Sequence, residues 1–229
     1  MGLADRDYYR QPPPQNPFGN LRNWSYTNWL IAINIAVYIL NLMSAGLLND
    51  LGCFQEDAAL SHLQIWRFFT FQFLHATPQH IFGNMIALYF VGPSVELVLG
   101  RRRFLAFYLI CGFAGPLMFM LFSFLNLLHV DWETPMVGAS AGIFGLLIAC
   151  AVLNPRRMIY FNFIIPMTMR TMALILLGLA VVTILFDLQN AGGEAAHLGG
   201  AAVGFLLIKN PDWLNWANYR RGPRMRYRP

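Results

Sequence analysis

Charge is what this sequence has least of. Only 12% of its 229 residues are charged, while 57% are hydrophobic. A soluble domain carries about 25% charged and about 45–50% apolar residues, so the composition argues against an ordinary water-soluble enzyme. Cysteine is scarce too. Cys53, Cys111 and Cys150 stand far apart, two of them in apolar segments, which fits small buried hydrophobes rather than a disulfide framework or a thiolate metal site. The opening "MGLADRDYYRQPPPQNPFGN" mixes acids and bases and has no early apolar core. It does not read as a secretory signal peptide, and Arg6 occupies the position where N-myristoylation requires Ser or Thr. No internal repeat is evident, and the length suits one helical domain rather than two.

What the chain does have is long apolar runs. Six can be read, over about 28–48, 79–99, 104–127, 138–154, 171–187 and 195–209, each near the roughly 20 residues that cross a bilayer. Lipid cannot satisfy an open strand, so each spanning segment is expected to be a helix. The expected fold class is an all-α membrane protein, a six-transmembrane-helix bundle over residues 28–209. A flexible cytoplasmic tail (1–27) precedes it, and a basic cytoplasmic tail (210–229) follows.

Charge then sets orientation. Arg6, Arg10 and Arg22 precede the first run, Arg101, Arg102 and Arg103 separate the second and third, and Arg156, Arg157 and Arg170 separate the fourth and fifth. Lys209 and five more arginines close the chain. The alternate connections "NDLGCFQEDAALSHLQ", "LHVDWET" and "LQNAGGE" are acidic. Every second connection is basic, so both termini are expected in the cytoplasm. The net charge of +5 lies beside apolar segments, which points to anionic lipid headgroups rather than nucleic acid.

The first outer loop, residues 50–78, is too long for a turn. Its "LQIWRFFTFQFLHATPQH" is aromatic but too polar and short to span, so an interfacial helix or re-entrant segment is expected. His62 and His75 lie in this loop without a ligand cluster, which favours interfacial or solvated roles over metal binding.

Polar residues inside a span are costly and usually functional. Under this topology His80 and Asn84 begin the second span, Ser140 the fourth and His197 falls near the start of the sixth. Three helices running the same way therefore bring all four into the outer half of the bilayer. From Arg157 to Ser140 is roughly 25 Å at about 1.5 Å per residue, short of the ~30 Å hydrocarbon core. Gly138 and Gly142 flank Ser140 in a G-x-S-x-G pattern, which in soluble hydrolases marks a nucleophile after a strand; no strand precedes it here. Small residues around Ser140, and Gly200 and Gly204 on the face of His197, let two membrane helices approach closely. A serine needs a base, which His197 can supply. Acyl transfer needs oxyanion donors, which His80, Asn84 and the Ser140 backbone N–H can supply. Asp187 and Glu194 lie near the outer ends of their spans but are not placed, so a Ser–His dyad is expected.

These residues carry a resemblance. "GASAGIFG", "AHLGGAAVG" and "HIFGN" resemble the serine, histidine and second-span motifs of the rhomboid intramembrane serine proteases. The likeness covers nearly the whole core. It implies Ser140 as nucleophile, His197 as base, and His80 and Asn84 as oxyanion donors. Trp66 and Arg67 match the family's structural loop signature, and Glu96 in "GPSVELVLG" its second-span hydrogen-bonding position. Phe144 stands where the family often has a tyrosine; stacking on His197 is expected to survive. The implied reaction is hydrolysis of peptide bonds in or beside the transmembrane helix of single-span membrane proteins, which enter laterally between spans two and five. It requires no cofactor and no metal. The expected location is a bacterial cytoplasmic membrane. Two alternatives stay open: a non-catalytic rhomboid-like scaffold or quality-control factor, and, less favoured by the one-sided polar residues, a small-molecule transporter.

Overall fold

A computed structural model describes residues 24–161 and 164–218; most of both expected tails lies outside the described residues. The first long helix, α1 (Tyr26–Met43), starts where Ser25 accepts from the N–H of Asn28. The chain then makes three short helices, α2 (Leu47–Gly52), α3 (Glu56–Leu60) and α4 (Arg67–Thr70), and a 3₁₀ turn at Phe71–Phe73. Next come α5 (Pro78–Leu99), capped by Thr77 with Pro78 in its first turn, and α6 (Arg101–Phe124). Gly100 alone separates those two, at φ +76°, a conformation a side chain would resist. The last long elements are α7 (Ser140–Leu153), α8 (Met169–Leu185) and α9 (Ala191–Lys209), with a 3₁₀ segment at Pro211–Asn218.

Among the described residues, α1, α5, α6 and α9 are long and apolar enough to cross a membrane, while α7 and α8 are shorter apolar helices of 14 and 17 residues. Helix α7 is the centre, packed against α5, α6, α8 and α9. It is buried at Ile143, Leu146, Leu147 and Ala149 alike, as expected for a helix apolar all round. Helices α1 and α8 lie at the periphery and turn Ile39, Leu40, Leu174, Leu179 and Val182 outward.

Close backbone approach joins α6, α7 and α9. A Cβ at Gly204 would meet the Cα of Gly145 at 2.5 Å, one at Gly200 would overlap the carbonyl of Ala141, and one at Gly199 would lie 2.5 Å from the Ala114 carbonyl oxygen. Apolar burial gains little between helices already in lipid, so such small-residue contacts carry much of the association.

The described residues are mostly helical, as the expected all-α class requires, with one small departure. The connection between α7 and α8 folds as an antiparallel hairpin, β1 (Met158–Phe161) with β2 (Ile165–Thr168), registered Met158 to Thr168 and Phe161 to Ile165. Its Ile, Tyr and Phe content favours strand, and the exclusion of strands holds only inside hydrocarbon. Element ends shift too. α1 stops at Met43, ahead of Ala45 at φ +53°, and α6 stops at Phe124, ahead of Asn126 at φ +54°. α9 begins at Ala191, four residues before the expected 195.

The first loop is held by its own backbone. Arg67 is buried and donates to the carbonyls of Cys53 at 2.5 Å and Asp50 at 2.7 Å and to Gln64 Oε1 at 2.6 Å. Trp66 donates its indole N–H to Leu51 O at 2.9 Å. Glu96, near the end of α5, accepts from the first N–H groups of α1, Tyr26 at 2.8 Å and Thr27 at 2.9 Å, and from the Thr27 hydroxyl. Those donors have no partner within their own helix.

Candidate active site

Ser140 is the first residue of α7, so its N–H has no intrahelical acceptor and sits at the positive end of the helix dipole. The preceding Gly138, at φ +133°, carries the chain into this position while its N–H donates to Phe71 O at 2.9 Å. A Cβ on Gly138 would sit 2.8 Å from His80 Nε2 and 3.6 Å from Asn84 Nδ2. The glycine therefore lets α5 bring both side chains against the turn that delivers the serine.

His197 comes from the second turn of α9. Its Nε2 lies 2.8 Å from Ser140 Oγ, and its ring stacks on Phe144 with centroids 4.2 Å apart and planes 8° from parallel. Ser140, His197, His80, Asn84 and Phe144 line one open cavity of about 670 Å³. Gly142 gives α7 its contact with Tyr108, since a Cβ there would lie 2.7 Å from the ring. Ser140, His197, His80, Asn84, Phe144, Gly138, Gly142 and Gly200 thus converge. Gly204 acts one turn deeper, while Trp66, Arg67 and Glu96 are remote and hold other joints of the fold.

Two residues belong to this region that the sequence reading left unplaced or assigned elsewhere. Glu194 Oε2 lies 2.9 Å from His197 Nδ1, so the expected dyad has a third, acidic neighbour. Starting the last span at 195 left Glu194 in a loop; with α9 beginning at Ala191 it stands one turn before His197 on the same face. His75 was expected at an interface or in solvent, yet it is 1% exposed. Its Nε2 is 3.0 Å from Asn84 Nδ2, and its ring meets that of His80 edge-on at 5.0 Å. Burial, then the neighbouring His80, pushes its pKa down to about 4. The "HATPQH" spacing was a signal: Thr77 and Pro78 fix a helix start that folds the preceding residues beneath it. His62, by contrast, is exposed and 3.4 Å from Asp57. No group of three or more metal-ligating side chains occurs among the described residues.

Chemically, a hydroxyl bonded to an imidazole, beside further polar donors in an open cavity within an apolar helical bundle, defines a serine-hydrolase type of arrangement in a membrane setting. Comparison with known proteins supplies the family. Residues 62–209 match the Rhomboid domain, and this chain belongs to the rhomboid family. It is similar to "RHOMBOID-like protein 12, mitochondrial" of Arabidopsis thaliana, 27% identical over 97% of this chain and 61% of the relative. It is also similar to "RHOMBOID-like protein 1" of the same plant, 34% identical over 77% of this chain and 43% of the relative. "Rhomboid protease AarA" of Providencia stuartii is 26% identical over 84% of this chain and 77% of its own length. The chain thus spans about half the length of the two plant relatives. Family and apolar helices together make it an integral membrane protein.

Proposed function

We propose that this chain is an intramembrane serine endopeptidase that hydrolyses peptide bonds in or near transmembrane helices of membrane-protein substrates. Ser140 is the nucleophile and His197 its base. His80, Asn84 and the Ser140 N–H receive the oxyanion. The observation that carries this reading is the 2.8 Å contact between Ser140 Oγ and His197 Nε2 inside a cavity that His80 and Asn84 also line. A relative named as a rhomboid protease supports it.

The chemistry runs in two halves. Nε2 takes the hydroxyl proton as Oγ attacks the carbonyl carbon, and the imidazolium then gives that proton to the departing amine. Water repeats the sequence on the acyl-enzyme. Asn84 directs Nδ2 toward His75 with one hydrogen and keeps the second for the developing charge. Donors of this type stabilise a transition state by about 3–4 kcal/mol each in a water-poor site.

The bilayer explains the position. At 14 residues, α7 rises about 20 Å, short of the ~30 Å hydrocarbon core. With Leu153, the last residue of α7, at the inner surface, Ser140 lies roughly 10 Å beneath the outer one by the same rise. In this reading α1, α5, α6, α7, α8 and α9 form six spans, both termini are cytoplasmic, and the first loop lies in the outer interface. The membrane is a bacterial cytoplasmic one. Substrates are single-span proteins that reach the cavity laterally between α5 and α8.

The test is cleavage of a transmembrane substrate by the purified protein in detergent. Wild type is expected to cut it, and Ser140→Ala to reduce the rate at least a thousandfold, on the order of losing a nucleophile. Equal cleavage by Ser140→Ala would reject the assignment. Intact biological activity in both Ser140→Ala and His197→Ala would favour the non-catalytic scaffold.

A further inference from the structure

We infer that Glu194 is a positioning residue for the imidazole: its carboxylate keeps the proton of neutral His197 on Nδ1, so that Nε2 faces Ser140 as a free base. This deepens the function proposed above and rests on its assignment of Ser140 and His197.

The two contacts fall on opposite nitrogens of one ring. Glu194 Oε2 is 2.9 Å from Nδ1, and Ser140 Oγ is 2.8 Å from Nε2. A neutral imidazole has one donor and one acceptor, and a carboxylate can only accept. Nδ1 must therefore donate to Glu194, which leaves the Nε2 lone pair for the serine hydroxyl. Phe144, stacked at 4.2 Å, fixes the plane of the ring, and Glu194 fixes its rotation within that plane.

The other acid near this end is engaged elsewhere. Asp187 Oδ2 lies 3.1 Å from His129 Nδ1, at the cavity rim. Glu194 sits in the first turn of α9, where its N–H donates to Asn190 O at 3.0 Å. The positive end of a helix favours a carboxylate there. The groups facing His197 are then Glu194 on its own helix, Ser140 and Phe144 from α7 and His80 from α5. Glu194 is the acid in contact with the ring, so it also offsets the positive charge formed when the proton arrives.

The step balances without a proton on Glu194. The Oγ–H bond breaks, Oγ bonds to the carbonyl carbon, and the carbonyl electron pair moves to oxygen. The proton resides on Nε2 until the C–N bond breaks and the amine takes it. The carboxylate holds the imidazolium through Nδ1–H throughout, as an orienting acid does in a soluble triad.

The experiment uses the full chain in detergent micelles, with ¹⁵N-labelled histidine and a transmembrane test substrate. The His197 signals, assigned by their loss in His197→Ala, should show neutral wild type protonated at Nδ1. In Glu194→Ala and Glu194→Gln that preference should weaken or reverse, because a glutamine amide can donate to Nδ1 and force the proton onto Nε2. Both variants should lower kcat about ten- to a hundredfold with KM within about twofold, somewhat less than the roughly 10²–10⁴ of losing a general base. An acid that merely caps α9 would shift melting temperature and leave kcat and the tautomer alone. Wild type protonated at Nε2, or unchanged kcat in both variants, overturns the inference. The wild-type spectrum decides even if the variants fail to fold. Ser140→Ala separates the two levels: if it is inert while the Glu194 variants are fully active, only the positioning role fails; if it cleaves normally, the underlying assignment fails.

Discussion

His75 is a basic side chain placed where charge is expensive. It is 1% exposed, against Asn84 and His80, and its pKa falls from 6.5 to about 4 because of burial first and His80 second. Between those values the unfolded chain holds more protons than the native one. The contribution is therefore full above about pH 6.5 and is lost as pH falls toward 4, by up to about 3 kcal/mol. Glu56 has the opposite sign. Burial raises its carboxyl against the hydrogen bond from Ser123, so its contribution is present at low pH and lost as pH rises. A variant therefore isolates the histidine better than the whole protein does. In His75→Gln the drop in melting temperature between pH 7 and pH 5 should shrink; an unaltered drop would show that the acid sensitivity lies elsewhere. His75 and Glu194 also mark the limit of legibility at this scale. Ser140, His197, His80 and Asn84 stood out because polar groups in apolar runs are conspicuous. His75 and Glu194 sit just outside those runs, where a polar residue is not conspicuous by itself, and local helix starts, signalled for His75 only by Thr77 and Pro78, brought them in.

Helix pairing makes the site. The contact between α7 and α9 is so close that a Cβ at Gly200 would overlap the Ala141 carbonyl, one residue from Ser140. Gly200→Val should therefore force the helices apart, cost about 1–3 kcal/mol as overpacking does, and lower cleavage even in the folded fraction. Gly178→Ala on α8 is the control, because its Cβ would meet nothing within 4 Å and it should gain a few tenths to about 1 kcal/mol in helix propensity. Equal activity in the two variants, each with a cooperative melt, would show that the close approach does not govern the chemistry. The apolar stretches and small-residue faces were readable because both are periodic. The α7–α8 hairpin was not, since its few strand residues lack a long pattern. The ends of α1 and α6 depend on Ala45 and Asn126 taking positive φ, which residue type does not announce.

At the scale of the whole molecule, composition did most of the work. Scarce charge, long apolar runs and arginines in alternate connections lead to a membrane bundle with its polar cluster near one face. The Rhomboid match over residues 62–209 agrees with that outline. Depth and access are properties of the assembled bundle in its membrane, and under the proposed reading they depend on where α7 begins relative to the outer surface. The central claim is that an activated serine lies in an outward-open cleft within the membrane. Its most direct measurement is labelling by a membrane-impermeant fluorophosphonate in sealed vesicles whose outer face carries the 128–134 connection, with the adduct located by mass spectrometry. The account predicts an adduct on Ser140 in wild type without permeabilisation, and none in His197→Ala. Labelling that needs permeabilised vesicles, falls on another residue, or persists undiminished in His197→Ala would contradict it.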